Sequence, residues 1–158
     1  MVKIKRTFSA AIIVLACLAL IPTSSVAAGK RKGQSRKLVK VYFYHEQGEY
    51  IDLSPVKRYV SAASPARGAI EALLGGPNAE ERSRDFDGLA SAYEFSIGSL
   101  TIKRGTARIN FVVSRTWAGF PGDTAPIRFK KAVELTLKQF PGVQSVIVSL
   151  NGDTQFEQ

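Results

Sequence analysis

The sequence predicts an α+β fold: a two-layer sandwich in which a mainly antiparallel sheet of about five strands is covered on one face by two helices. Three observations lead there. Two strand pairs, residues 38–60 and 96–114, alternate apolar and polar side chains and are each closed by a short turn. Two helical stripes, near 65–74 and 126–140, are apolar on one side only. The segments run hairpin, helix, hairpin, helix, strand, and two one-sided helices suffice to cover one face of such a sheet.

The first strand begins near Leu38. In LVKVYFY, Val39, Val41 and Phe43 fall on one side and Lys40, Tyr42 and Tyr44 on the other, so one face is buried. Glu46-Gln47-Gly48-Glu49 supplies a turn, and residues 50–60 return as a strand broken at Pro55. Ser64 can then cap a helix whose first position, Pro65, loses nothing by lacking an N–H. Ala66, Ala69, Ile70, Leu73 and Leu74 form its apolar face, while Arg67 and Glu71 sit one turn apart on the wet side. Gly75 and Gly76 permit the left-handed residue that ends a helix, and Pro77 bars continuation.

Residues 78–88 are polar and charged, and 89–93 carry no clear pattern. The second hairpin places Leu100 and Ile102 on one face, turns at Arg104-Gly105, and returns with Ala107, Ile109, Phe111 and Val113 inward. Arg108, Asn110 and Val112 point the other way. After an irregular loop, 115–125, Asp123 or Thr124 caps a second helix with Pro126 in its first turn. Phe129, Ala132, Val133, Thr136, Leu137 and Phe140 make its stripe, Pro141-Gly142 ends it, and 143–150 is a last strand closing at Asn151-Gly152.

A chain of 158 residues, 45% apolar and 22% charged, fits one domain with short appendages. Residues 1–28 have the parts of a signal peptide: Lys3, Lys5 and Arg6, an apolar run over 8–21, then small residues, with cleavage expected after Ala28. That run falls short of the roughly 20 residues a spanning helix needs. The only cysteine, Cys17, lies in this leader, so the folded part has no thiol for a disulfide, zinc site or nucleophile. Lipid anchoring at Cys17 is the second reading, since the residues after it stay apolar. The expected location is outside the cytoplasm, in the periplasm or cell envelope.

Net charge is +9 overall and +6 without the leader's three cations. Lys30, Arg31, Lys32, Arg36, Lys37 and Lys40 supply all of that remainder, because from Val41 onward 13 cations meet 13 acids. Residues 29–37 therefore read as a basic flexible linker, 38–152 as the domain and 153–158 as a C-terminal tail. An exported basic run meets anionic headgroups or wall polymers, not nucleic acid, so any membrane-surface contact is expected through the basic residues 29–40.

No reaction is written in the chain. His45 is the only histidine and falls in a turn without the second histidine of a zinc-protease helix. Asp85-Phe86-Asp87-Gly88 has two spacings of a calcium loop but neither the third ligand nor the distant glutamate. Gly75-Gly76 ends a helix instead of opening one, and so is no phosphate loop. No catalytic residue, metal ligand or cofactor is expected.

Several landmarks stand in series: KVYFY, Leu53-Ser54-Pro55-Val56-Lys57-Arg58, Glu71-Ala72-Leu73-Leu74-Gly75-Gly76-Pro77, the 98–111 hairpin, Leu137-Lys138-Gln139-Phe140-Pro141-Gly142-Val143, and the closing Asn151-Gly152. This order resembles the GerMN domain, the sporulation and spore-germination module of bacterial envelope proteins, over roughly 39–152. The resemblance implies an exported, often membrane-tethered, compact domain acting by binding and assembly, with no agreed catalytic residues to carry over. Some relatives carry two copies, whereas one is read here, and the module also occurs in bacteria that form no spores.

Two surfaces are candidates for binding. Trp117 and Phe120, in a Gly/Pro-rich loop, form either a stacking platform or a plug folded back on the sheet edge. Tyr42, Tyr44, Thr101, Lys103, Arg108 and Asn110 would share the polar face of the single sheet. The expected function is protein–protein interaction or assembly in the envelope; the alternative is binding of wall glycan or peptidoglycan by the Trp117/Phe120 loop.

Overall fold

The computed structural model describes residues 35–47, 50–88 and 94–156. The expected signal peptide, the Cys17 anchor and most of the basic linker lie outside them. Along the chain come β1 (Arg36–Gln47), β2 (Tyr50–Ser61), α1 (Pro65–Leu74), α2 (Ala79–Arg82), β3 (Phe86–Asp87), β4 (Ser96–Lys103), β5 (Thr106–Val112), α3 (Thr124–Lys138) and β6 (Ser145–Leu150). The fold is α+β and mainly antiparallel, but the expected single sheet is two: β2-β1-β3 and β4-β5-β6. Among the described residues only β5 and β6 pair in parallel, with α3 as the crossover between them.

The division has a visible cause at the free side of β1. Opposite β2, β1 offers backbone groups to a further strand, yet α3 occupies that edge. The Gln139 side chain accepts from the Lys40 N–H at 2.7 Å and donates to the Lys40 carbonyl at 2.6 Å, standing in for a strand. Thr136 Oγ1 accepts from the Tyr42 N–H at 3.3 Å. Beyond them the two-residue β3 pairs with Tyr44 and His45. The second hairpin finds no room on the β1 side, and it forms a sheet of its own with β6.

The same geometry explains why β2 is continuous where a break at Pro55 was expected. Pro55 lies opposite Tyr42. Tyr42 directs its N–H away from β2, so this rung exchanges no hydrogen bonds and the Pro55 nitrogen faces the open edge of the sheet.

One core joins the layers. Val39, Val41 and Phe43 of β1, Ile70 and Leu73 of α1, Ile109 and Phe111 of β5, and Phe129, Val133 and Leu137 of α3 are all buried in it. α1 packs on β1, β2 and α3, while α3 reaches both β1 and β6. The expected α3 stripe, from Phe129 to Phe140, is buried at every position, and α1 keeps the expected Arg67–Glu71 pair outside at 2.9 Å. Neither Ser64 nor Asp123 makes a side-chain cap bond. α1 stops as expected, with Gly76 at φ 71° donating to the Leu73 carbonyl.

Both ends of the domain differ from expectation. β1 starts at Arg36, inside the expected linker. At the other end Phe156, placed in the expected tail, stacks on Phe120 at 6.0 Å and packs against the core.

Candidate functional site

The landmark residues turn out to hold strands and turns together. Arg58, on the inner side of β2, forms a two-pronged ion pair with Glu81 of α2 at 2.6 and 2.5 Å, its guanidinium 5.7 Å from the Phe43 ring centroid. Glu81 is buried and also accepts from the Asn78 N–H at 2.9 Å, while Asn78 Oδ1 accepts from the Glu81 N–H at 2.8 Å. This capping box starts α2 directly after the Gly75-Gly76-Pro77 stop. The Arg58 hydrogen bond, opposed by burial, holds the Glu81 carboxyl below its ordinary range. Arg82 donates to the Pro77 carbonyl and closes the same corner.

Asn110 belongs to a similar clamp. Its Oδ1 accepts from Ser149 Oγ at 2.9 Å and from the Gly152 N–H at 2.8 Å. Asn151, left-handed at φ 50°, donates its N–H to the Phe111 carbonyl at 2.8 Å and accepts from the Val113 N–H at 3.2 Å. The closing Asn-Gly thus extends the bond between β5 and β6.

The candidate residues do not share one face. Tyr42 and Tyr44 belong to the first sheet, Arg108 and Asn110 to the second, because the two hairpins never pair. On the outer side of the second sheet Arg108 is exposed and lies directly between Thr101 of β4 and Ile147 of β6. Around it stand Ser99, Lys103 and Ser145, also exposed, with the exposed Val112 farther along β5 beyond Asn110. A hydrogen bond of 2.9 Å between the Thr106 and Ser145 hydroxyls ties the rung beside it.

On the outer side of the first sheet Tyr44 is half-buried. Burial pushes its hydroxyl up to about 12, against the opposing pull of Arg128, whose guanidinium lies 5.3 Å from the ring centroid; Asp52 raises it further. Tyr42 is also half-buried, beside Lys40 and Lys57, two lysines that oppose each other across the strands. At the far end of β1, His45 stacks on Phe86 with centroids 4.2 Å apart.

The loop aromatics fold inward. Trp117 meets Phe95 edge-on at 5.5 Å and Phe120 at 5.1 Å, and Phe120 reaches Phe129 at 5.8 Å. Phe95 and Phe156, unassigned in sequence, complete the cluster. Between loop and C-terminus a groove of about 460 Å³ remains, lined by Trp117, Phe120, Asp123, Pro126 and Phe156. Among the described residues no three His, Cys, Asp or Glu side chains are placed to hold a metal ion, and no helix is long and apolar enough to cross a membrane.

Comparison with known proteins follows the same lines. The chain resembles the tandem GerMN domains of the sporulation protein GerM from Bacillus subtilis: 21% identity, TM-score 0.58, covering 81% of this chain and 43% of that one. The first GerMN domain of the same protein matches at 21% identity and TM-score 0.55, covering 75% and 85%. This chain therefore spans less than half of the tandem protein, and the likeness is one of fold. No curated protein sequence matches it. The sequence profile of the Germane family, described as sporulation and spore germination, matches residues 40–156, and the chain belongs to that family.

Proposed function

We propose that this chain is a non-catalytic domain of the cell envelope that docks on another protein through the outer face of its second sheet. The observation that carries the reading is Arg108, exposed on the outer face of the second sheet directly between Thr101 and the exposed aliphatic Ile147. Arginine is enriched among the residues that carry the binding energy of protein interfaces. Membership of the sporulation and germination family supports an assembly role, and the leader's composition supports export. A photo-crosslinker placed at Thr101 in the native bacterium should capture one discrete envelope protein. The adduct should disappear in the Arg108→Glu variant. Capture of bulk abundant protein alone, or an adduct indifferent to Arg108→Glu, rejects the reading.

The groove beside Trp117 and Phe120 favours a second reading, a module for wall glycan, with the Asp123 carboxylate at the groove as a hydrogen-bond acceptor. Sedimentation with purified walls tests it. Undiminished binding by a Trp117→Ala, Phe120→Ala double variant removes that site, and melting is followed alongside because both rings pack on the core.

A further inference from the structure

We propose that the outer face of the β1–β2 hairpin is a docking surface for an anionic lipid bilayer, separate from the protein-docking face of the second sheet. Lys40 and Lys57 are directly opposite each other and exposed, and among the described residues neither has an acidic partner. Like charges on one rung weaken a strand pair. An anionic surface converts that repulsion into attraction. The next rung on the same face pairs Leu38 with Tyr59, 45% and 68% exposed, two side chains that gain by leaving water. Arg36 follows on the same side.

The outer-face positions 36, 38, 40, 42 and 44 of β1, and 53, 55, 57, 59 and 61 of β2, include no acidic residue. The Lys40/Lys57 rung opens on a groove of about 550 Å³ against α3, where Leu135 supplies an apolar wall. Lys138 lines it too, but is already paired with Glu134 at 2.5 Å. The chain that enters β1 brings further cations, Lys30, Arg31 and Lys32, with no acid before Glu46.

Lysines act as hydrated point charges on flexible stems, whereas recognition of carboxylates in a folded partner favours the bidentate fork of arginine. Exposed Leu and Tyr beside lysine match the headgroup boundary, where a tyrosine ring sits half in hydrocarbon and half in water. A bilayer presents diffuse negative charge over a plane, and this face answers with diffuse positive charge and two apolar side chains.

The test is partitioning of the full chain onto vesicles of phosphatidylcholine alone and of three parts phosphatidylcholine to one part phosphatidylglycerol. The leader, with Lys3, Lys5 and Arg6, contributes equally to parent and variant, so comparing their ratios of the two partition coefficients cancels it. Each lysine near an anionic surface contributes about fivefold, so Lys40→Gln with Lys57→Gln should lower the ratio about 25-fold. Melting should be unchanged or slightly raised, because a repulsive rung is removed. Raising salt to molar strength should abolish the preference. Leu38→Ser with Tyr59→Ser should lower partitioning onto both vesicles and leave the ratio unaltered. The proposal is overturned if the double lysine variant keeps the parent's ratio, or if only neutralising Lys30, Arg31 and Lys32 removes it. Polyglutamate that competes as well as the anionic vesicles would instead assign the face to an acidic protein. Arg108→Glu, which should abolish the protein crosslink, leaves this ratio untouched, so the two readings fail separately.

Discussion

Replacing Glu81 by alanine should be the most damaging single polar substitution in the domain. The carboxylate accepts two hydrogen bonds from Arg58 and one from the Asn78 N–H, with the side chains of Arg58 and Glu81 22% and 6% exposed. Removing one member of a buried pair costs about 3–5 kcal/mol. The exposed fifth of Arg58 lets water rehydrate part of the abandoned guanidinium, which brings the loss to about 2–4 kcal/mol. The lost half of the capping box adds a further loss of about 0.5–1 kcal/mol.

Glu81→Gln separates charge from shape, since the amide oxygen still accepts while the counterion is gone. Its loss should lie between those of parent and Glu81→Ala in urea unfolding. The acid limb gives an independent sign. Because the carboxyl titrates below its ordinary value in the folded chain, the unfolded chain binds more protons near pH 4, and stability falls as pH drops through that range. Glu81→Ala should flatten this limb. A loss below about 0.5 kcal/mol, the level of an exposed pair, or an unchanged acid limb would refute the assignment of this pair as a partly desolvated clamp.

Three further substitutions test the packing. Gln139→Ala removes two hydrogen bonds to the Lys40 backbone and should cost about 1–3 kcal/mol in urea unfolding; an unaltered midpoint would mean the β1 edge needs no cover. Gly68→Ala, normally stabilising in a helix by about 1 kcal/mol, should instead lower the melting temperature, because the new Cβ would lie 2.8 Å from Val60 Cβ. A rise would show that α1 and β2 are not in close approach. Leu73→Asp should abolish cooperative melting, since Leu73 is buried in the core, whereas Arg67→Ala, losing only an exposed pair, should change stability by less than about 0.5 kcal/mol. A native transition in Leu73→Asp would place that face outside the core.

The parts of this fold that follow local periodicity could be read from the sequence. The stripe from Phe129 to Phe140, the inward set Val39, Val41 and Phe43, and the Gly75-Gly76-Pro77 stop depend on neighbours within a few residues. The division into two sheets depends on Gln139 reaching Lys40 across 99 positions, which no periodicity reveals. Pro55 reads as a break because its tolerance depends on the β1–β2 register and on β2 lying at the sheet edge, neither of which its neighbours in sequence reveal. α2 was legible and overlooked: Asn78 followed three residues later by Glu81 is a capping-box pattern. For the candidate site, outward residues were identified strand by strand, but sharing a face requires sharing a sheet. Tyr42 and Tyr44 were thereby grouped with Arg108 and Asn110, from which they are separated. Asn110 proved to hold the β5–β6 end together, a role set by Ser149 and Gly152 some 40 residues away.

The residues that build the domain are distinct from the sheet face proposed to dock a partner, so the two can be perturbed separately. Arg108→Glu, assayed for melting and for the Thr101 crosslink in the native bacterium, tests both together. The expected result is an unchanged melting temperature with the crosslink lost, while Gln139→Ala lowers melting and keeps the crosslink wherever the chain remains folded. A crosslink that survives Arg108→Glu in a folded chain would contradict the assignment of function to the second sheet.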